Sequence, residues 1–202
     1  MEEQYYDGIL NVKTCENQKG FSHFVHYHRY EPTPYSALEK LFEQYEIARG
    51  DHLVDFGCGK GRLNFYVHHV FKASVLGIEM NVNFYKEAME NRIRYLRKFK
   101  RQGENIQFQC LTAEQYQIKS VDNKFYFFNP FSIQIFIQVI NNIFLSVEQS
   151  AREVDLILYY PSSDYIYYLE NKTPFEMIRE VRLPEMYEQN PNERFLIYRF
   201  HY

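Results

Sequence analysis

The residues best suited to chemistry form one glycine-rich segment, and a short apolar run, Leu53 to Phe56, leads straight into it. The segment reads Asp55-Phe56-Gly57-Cys58-Gly59-Lys60-Gly61-Arg62. Glycine lets a backbone turn sharply and approach a ligand closely. A helix that begins after the glycines presents unpaired N–H groups toward the same place. The segment therefore predicts a binding loop for an anionic or carboxylate-bearing ligand at a helix N-terminus.

Two common nucleotide-binding motifs do not fit this spacing. A phosphate-binding P-loop requires Ser or Thr after Gly-Lys, whereas Gly61 follows Lys60. A dinucleotide fingerprint requires a third glycine at the position that Arg62 occupies. The pattern that remains is G-x-G-x-G, preceded by the acidic residue Asp55.

This pattern resembles the first motif of class I S-adenosylmethionine-dependent methyltransferases, in which the glycine loop passes under the methionine part of the cofactor. A second feature agrees, because Glu79 ends the next apolar run eighteen residues after Gly61. The family has an acidic residue there that binds both ribose hydroxyls. The resemblance implies S-adenosylmethionine as cofactor, with Glu79 on the ribose and Met80 against the adenine. It also implies that the cofactor is bound by residues of the glycine loop, namely Asp55, Gly57, Cys58, Gly59 and Gly61.

The third motif departs from the family. Thr112-Ala113-Glu114 stands where the family usually has Asp-Ala, the Asp accepting a hydrogen bond from the adenine amino group. The resemblance therefore offers two adenine ligands, Thr112 and Glu114, beside Ala113.

The fourth motif is Asn129-Pro130-Phe131. It resembles the Asn/Asp-Pro-Pro-Tyr/Phe motif of amino-group methyltransferases, with one proline fewer. The resemblance implies that Asn129 and the Pro130 carbonyl orient the methyl acceptor while Phe131 packs on its plane. The alternative is that Asn-Pro simply ends a strand and Phe131 fills the core.

The segment before Tyr35 is interpreted as a cover for the cofactor. Residues 1–34 are expected to form an N-terminal lid or substrate segment of a single domain, 1–202, with Tyr30 and Thr33 as candidate cofactor contacts. The crowded histidines His23, His26 and His28 match no standard metal-ligand spacing, so we expect no metal site.

The elements that position these residues follow from the alternation of short apolar runs with longer amphipathic ones. This order predicts a Rossmann-like α/β fold, with a mostly parallel sheet of about seven strands, helices on both faces and a C-terminal antiparallel hairpin. The expected strands are 53–56, 75–78, 106–110, 125–128, 154–160, 177–183 and 195–200. The expected helices are 35–46, 63–70, 84–100 and one that Ser132 caps.

Composition fits one globular domain without a membrane span. The chain has 202 residues, 46% of them hydrophobic, and no apolar run approaches the length of a transmembrane helix. Three cysteines, without a C-x-x-C pair, and an acidic start predict a cytoplasmic protein. The segment 86–101 carries seven basic residues against two acidic ones, which suits either nucleic acid or a solvated helix face.

The function that this pattern predicts is methyl transfer to an unidentified acceptor. Aligning the acceptor with an already activated methyl group needs no nucleophile from the protein. The acceptor classes are a nitrogen of a nucleic-acid base, a protein side chain or a small molecule. The alternative function is a non-catalytic subunit that binds S-adenosylmethionine or stabilises a partner.

Overall fold

The computed structural model describes residues 2–15, 31–100 and 105–202. In this part of the chain the strands are β1 (His52–Phe56), β2 (Ser74–Ile78), β3 (Ile106–Gln109), β4 (Lys124–Phe128), β5 (Val154–Tyr159), β6 (Glu176–Arg182) and β7 (Arg194–Phe200). The helices are α1 (Glu2–Leu10), α2 (Tyr35–Phe42), α3 (Arg62–Phe71), α4 (Val82–Phe99), α5 (Ile133–Gln149), α6 (Ser163–Lys172) and α7 (Pro184–Tyr187). A 3₁₀ turn covers Ala113–Gln115.

The described strands form one sheet in the order β3-β2-β1-β4-β5-β7-β6. The first five are parallel, and β7 lies antiparallel between β5 and β6. The predicted fold class, including the C-terminal hairpin, is confirmed. Because the chain order reverses between β1 and β4, this fold opens a crevice at the carboxyl ends of those two strands.

Both faces of the sheet are covered, since successive strand side chains point to opposite sides. Leu53 of β1 joins the cluster beneath α1 to α4, and Val54 joins the cluster beneath α5 and α6. The central strands are therefore buried on both sides, which explains their continuous apolar sequence. None of the described helices combines the length and the apolar character that crossing a membrane requires.

Several predicted boundaries were wrong by a few residues, and three helices, α1, α6 and α7, were not predicted. The predicted helix 35–46 ends at Phe42 and begins after Pro34, which makes no side-chain cap. The hydroxyl of Thr33 lies 2.7 Å from the hydroxyl of Tyr126. Ser132 is the N-cap residue of α5, but its side chain makes no capping hydrogen bond.

A buried ion-pair network fastens the amino ends of the strands on the hairpin side. Asp155 is fully buried in β5 and accepts from Lys124 Nζ at 2.7 Å and from Arg199 Nε at 2.7 Å, and also from the Tyr45 hydroxyl. Burial alone would raise the pKa of Asp155, but the hydrogen bonds from Arg199, Lys124 and Tyr45 outweigh it and hold this pKa below its usual 3.8. The carboxylate therefore joins β4, β5 and β7.

We expect Asp155→Asn to lower the free energy of unfolding by about 3–5 kcal/mol, because it leaves the buried Lys124 without its counter-charge and removes one of the carboxylates that pair with the half-buried Arg199. The pKa is lower in the folded state, so the stabilisation exists above pH 3.8 and is lost as the pH falls below it. Chemical denaturation of parent and variant between pH 2.5 and 7 measures both effects.

The matched control is Glu153→Gln, which removes a half-exposed carboxylate paired with the same Arg199 at 3.1 Å. A surface pair of this kind contributes about 0–1 kcal/mol. Equal losses in the two variants would contradict a special role for Asp155.

Candidate functional site

The loops after β1, β2 and β4 converge at the carboxyl edge of the sheet. The registers pair Phe56 with Ile78 of β2 and with Phe127 of β4, so the three strands end side by side. The glycine segment, Glu79 and Asn129 follow these strand ends. The structure therefore brings three of the four predicted motifs to one place.

Glu79 holds two of these loops together. One oxygen of its carboxylate accepts from the N–H of Gly59 at 2.9 Å, and the other accepts from the N–H of Asn81 at 2.7 Å. Burial raises the pKa of Glu79 above 4.5, while backbone N–H donors oppose this rise. A carboxylate has about four acceptor positions, so the backbone donors leave capacity for a further donor.

Asp55 is the second buried carboxyl group of the site. Burial, and then the charge of Glu79, raise the pKa of Asp55 well above its ordinary value. Two neighbouring buried carboxyls cannot both hold a charge cheaply, so Asp55 takes the neutral form more readily. Of the two carboxyl groups, Glu79 is the one whose ionised form receives backbone N–H donors.

The glycines leave room for other side chains as well as for a ligand. A Cβ built on Gly57, which has a φ of +81°, would lie 2.8 Å from the Cβ of Pro130. A Cβ built on Gly61, which has a φ of +85°, would lie 2.7 Å from the Phe108 ring. Any larger residue at either position would be strained and would also displace a neighbour. The side of the loop away from these neighbours is the one that a ligand can approach.

The third motif lies in the 3₁₀ turn after β3. The hydroxyl oxygen of Thr112 is buried and has no hydrogen-bond partner in the described part of the chain. The backbone carbonyl of Glu114 accepts from the side-chain amide of Asn142 at 3.0 Å, which fixes this turn to α5. Ala113 is buried, and Met80 is half-buried. Of the two predicted adenine ligands, Thr112 is the one with an unused buried oxygen.

The fourth motif divides between the site and the core. Asn129 and Pro130 are half-buried, and Pro130 lies against Gly57. Phe131 is 1% exposed and meets Phe127 edge-on, with 6.2 Å between ring centroids. In this position Phe131 cannot pack on an acceptor, because core side chains cover its ring. The alternative that Phe131 fills the core agrees with the structure.

The N-terminal segment is fixed to the residue that follows the glycines, which the sequence analysis missed. Arg62 is buried and stacks on the Tyr35 ring at 4.6 Å. Its guanidinium donates to side chains or carbonyls of Glu3, Thr14, Cys15 and Thr33. Residues 2–15 and 31–35 therefore meet at the first turn of α3. Tyr30 and the three histidines 23, 26 and 28 lie outside the described residues.

Some side chains of the basic segment 86–101 bind other parts of the protein. Arg92 donates to the carbonyl of Ile106 at 2.7 Å, and Lys98 donates to the carbonyl of Gly8 at 3.1 Å. These contacts fasten α4 to β3 and to α1. Among the described residues, no cluster of three His, Cys, Asp or Glu side chains is arranged to hold a metal ion.

Comparison with known proteins gives a fold and a partial sequence match. No protein-family model matches the sequence. Over 96 residues the chain is 26% identical to Phosphoethanolamine N-methyltransferase 1 of Triticum aestivum. The matched segment covers 39% of this chain and 19% of that protein. The chain thus matches about a fifth of the length of this curated relative.

Two solved structures resemble the chain over most of its length. An RNA methyltransferase from Salinibacter ruber, crystallised with S-adenosyl-L-homocysteine, has a TM-score of 0.58 at 18% identity and covers 84% of this chain and 92% of its own. The [4+2]-cyclase SpnF has a TM-score of 0.59 at 13% identity, over 87% of this chain and 86% of its own. The chain therefore shares their fold. Since the two are named for different reactions, the fold does not determine the reaction.

We expect Gly57→Ala to lower the free energy of unfolding by about 1–3 kcal/mol, because the new Cβ adopts a left-handed backbone and overlaps Pro130. Thermal or chemical unfolding measures the loss. Adding Pro130→Gly should recover part of it, with a coupling of at least about 0.5 kcal/mol. Gly8→Ala is the control, since nothing lies within 4 Å of its Cβ. Strict additivity of the two changes would show that Gly57 and Pro130 are not in contact.

Proposed function

We propose that this protein is a methyltransferase that uses S-adenosylmethionine. The observation that carries the proposal is the carboxylate of Glu79, which lies at the end of β2 and is held by the N–H groups of Gly59 and Asn81. A carboxylate fixed in this way can accept both hydroxyls of a ribose at once. Its position beside a glycine loop supports a nucleoside site over a simple anion site.

The residues present fit this cofactor. Glu79 would hold the ribose, and Thr112 would offer its unused hydroxyl oxygen to the adenine amino group. The backbone from Gly57 to Gly61 would lie against the methionine part, with Cys58 buried below it. Met80 would pack against the adenine. The carboxylic acid of Asp55 would stay neutral and support the loop.

When bound, the cofactor supplies a methyl group on a sulfonium. Transfer forms a bond from the acceptor atom to the methyl carbon and breaks the carbon–sulfur bond, whose electrons stay on sulfur as a neutral thioether. The protein has to bring the acceptor into line, which can contribute about 7–11 kcal/mol. Asn129 and the carbonyl of Pro130 stand at the carboxyl edge, where they would orient the acceptor. Phe131, buried in the core against Phe127, would have no direct part.

A non-catalytic subunit is the weaker alternative. It would need the cofactor loop but would have no use for a polar residue with a left-handed backbone at the end of β4. Asn129 has a φ of +38°, a left-handed conformation that non-glycine residues adopt rarely and that is frequent at functional sites. We therefore favour the enzyme. A protein that binds the cofactor but labels no acceptor pool would favour the subunit instead.

We expect Glu79→Ala to weaken binding of S-adenosylmethionine by about 2–4 kcal/mol, because both ribose acceptors are lost. It should also cost about 1–3 kcal/mol of stability, since the N–H groups of Gly59 and Asn81 lose their acceptor. Calorimetry and unfolding measure the two losses separately. Glu90→Ala, an exposed carboxylate on α4, is the control. An affinity within twofold of the parent would remove Glu79 from the cofactor site.

The affinity should also depend on pH. The ribose hydroxyls need the ionised carboxylate, and burial raises the pKa of Glu79 above 4.5. Affinity should therefore begin to fall at a higher pH than an exposed glutamate would give, as acidification protonates Glu79. Glu79→Gln should lack this step. Calorimetric titrations with S-adenosylmethionine between pH 4.5 and 8 test this pH dependence. The same titrations with NAD and with ATP should show no binding.

We expect Asn129→Gly to reduce methyl transfer by on the order of a hundredfold or more, because a polar group aimed at the reacting centre is removed. Glycine accepts the left-handed backbone of this position, so the loss does not come from strain. The assay is transfer of labelled methyl to fractionated RNA, protein and small-molecule pools. Cofactor affinity should stay close to that of the parent. Turnover near the parent rate would exclude Asn129 from the mechanism.

A further inference from the structure

Two neighbouring strands end in the same rare backbone conformation. Phe128 of β4 is paired in register with Tyr159 of β5, so the next residues, Asn129 and Tyr160, lie side by side at the carboxyl edge. Asn129 has a φ of +38° and Tyr160 a φ of +49°. A bulky tyrosine adopts this conformation only where the surroundings enforce it, at a cost of order 1–3 kcal/mol.

The surroundings of Tyr160 do enforce it. Its N–H donates to the carbonyl of Arg194 at 3.1 Å, and its hydroxyl accepts from the side-chain amide of Asn190 at 2.7 Å. Both partners belong to the C-terminal hairpin. The ring is therefore fixed at its backbone end and at its hydroxyl end, while the side chain as a whole stays half-buried.

Tyr160 belongs to a group of rings on one side of Asn129. Its centroid lies 6.5 Å from that of Phe128, and Phe128 lies 4.5 Å from Tyr159. Phe128 is half-buried like Tyr160, whereas Tyr159 is buried. The two outer rings thus keep part of their surface exposed, and they belong to the strand ends that carry Asn129.

Carboxylates lie near these rings, together with a guanidinium that is itself paired with a carboxylate. The hydroxyl of Tyr159 donates to a carboxylate oxygen of Glu193 at 2.6 Å. Burial, then this bond and the charge of Glu193, and more weakly the charge of Glu31, raise the pKa of Tyr159. The guanidinium of Arg194 is engaged by Glu180 at 2.7 Å. Aromatic faces and carboxylates together favour a cation.

The basic residues stand elsewhere. α4 leaves the carboxyl edge after β2 and runs for 18 residues, about 27 Å, toward the amino edge. Arg92, Arg97 and Lys98 therefore lie on its distant half, and two of them bind carbonyls of the protein itself. Glu193, in contrast, lies at the ring group itself, bound to the Tyr159 hydroxyl.

We propose that Tyr160 and Phe128 form the wall of an acceptor site that selects an aliphatic amine. This inference rests on the proposed function. The amine loses a proton to solvent, its lone pair forms the bond to the methyl carbon, and the positive charge passes from sulfur to nitrogen. The rings and the nearby carboxylates stabilise the alkylammonium that results. Tyr160 is thus a specificity-determining residue, and Asn190 holds it in place.

Binding of a permanent cation tests the site without turnover. The probe is choline, compared with its uncharged isostere 3,3-dimethylbutan-1-ol, by saturation-transfer difference NMR. The parent protein should bind choline at least about fivefold more tightly than the isostere. Tyr160→Leu should weaken choline binding about fivefold to tenfold, and Tyr160→Phe, which keeps the ring, by less than threefold. Equal binding of the two probes, or displacement of choline by inorganic phosphate, would overturn the proposal.

Tyr167→Leu is the matched control, because Tyr167 is an exposed tyrosine, 61% accessible, on α6. It should leave choline binding unchanged. If Tyr160→Leu does not fold, Phe128→Leu replaces it and should give the same loss; choline binding unchanged by Phe128→Leu would also overturn the proposal. Calorimetry with S-adenosylmethionine on each variant tests the methyltransferase function separately from the cation site. Choline binding without cofactor binding would refute the methyltransferase function but would still support the cation site.

Labelled-methyl transfer then distinguishes the sources of the amine. Propylamine represents a free amine and a lysine-containing peptide represents a protein side chain. Label on either supports the amine site, and its loss in Tyr160→Leu assigns the selection to this ring. Label on RNA with none on either amine would contradict it.

Discussion

The buried carboxylate of Glu79 is the constraint on which the rest of the site depends. It joins the backbone after β1 to the backbone after β2 through the N–H groups of Gly59 and Asn81. A charge removed from water needs such donors, and these donors need an acceptor, so each stabilises the other. The loop is therefore formed before any ligand arrives. What a nucleoside would meet is a carboxylate already oriented by the main chain, which lowers the entropic cost of binding.

The glycines are needed for packing within the protein as well as for binding a ligand. Gly57 makes room for Pro130, and Gly61 makes room for the Phe108 ring. The first contact links the glycine loop to the loop after β4, and the second links it to β3. A local motif thus depends on residues about fifty and seventy positions away along the chain. The geometry of the cofactor side and that of the acceptor side are consequently coupled through Gly57 and Pro130.

The fold, and the meeting of Glu79 with the glycine loop, could be predicted because their signals are local. Strand periodicity, the glycine spacing and the position of Glu79 are all read within short windows. The contacts of Arg62 and Tyr160 could not be predicted from the sequence, because their partners, such as Thr33 and Asn190, come from distant segments. Phe131 was ambiguous for the same reason: the motif allows two packings, and only the surrounding core decides between them.

The hairpin would explain how so small a chain could have the proposed acceptor site. β7 lies antiparallel beside β5 and brings the Arg194 carbonyl and the Asn190 amide to Tyr160. The far end of the same strand carries Arg199, which is held by Asp155 deep in the sheet. The hairpin is thus anchored by a buried ion pair at one edge and supports the acceptor side at the other. Substitution in its connecting segment can therefore alter acceptor choice while the cofactor loop, three strands away, keeps its geometry.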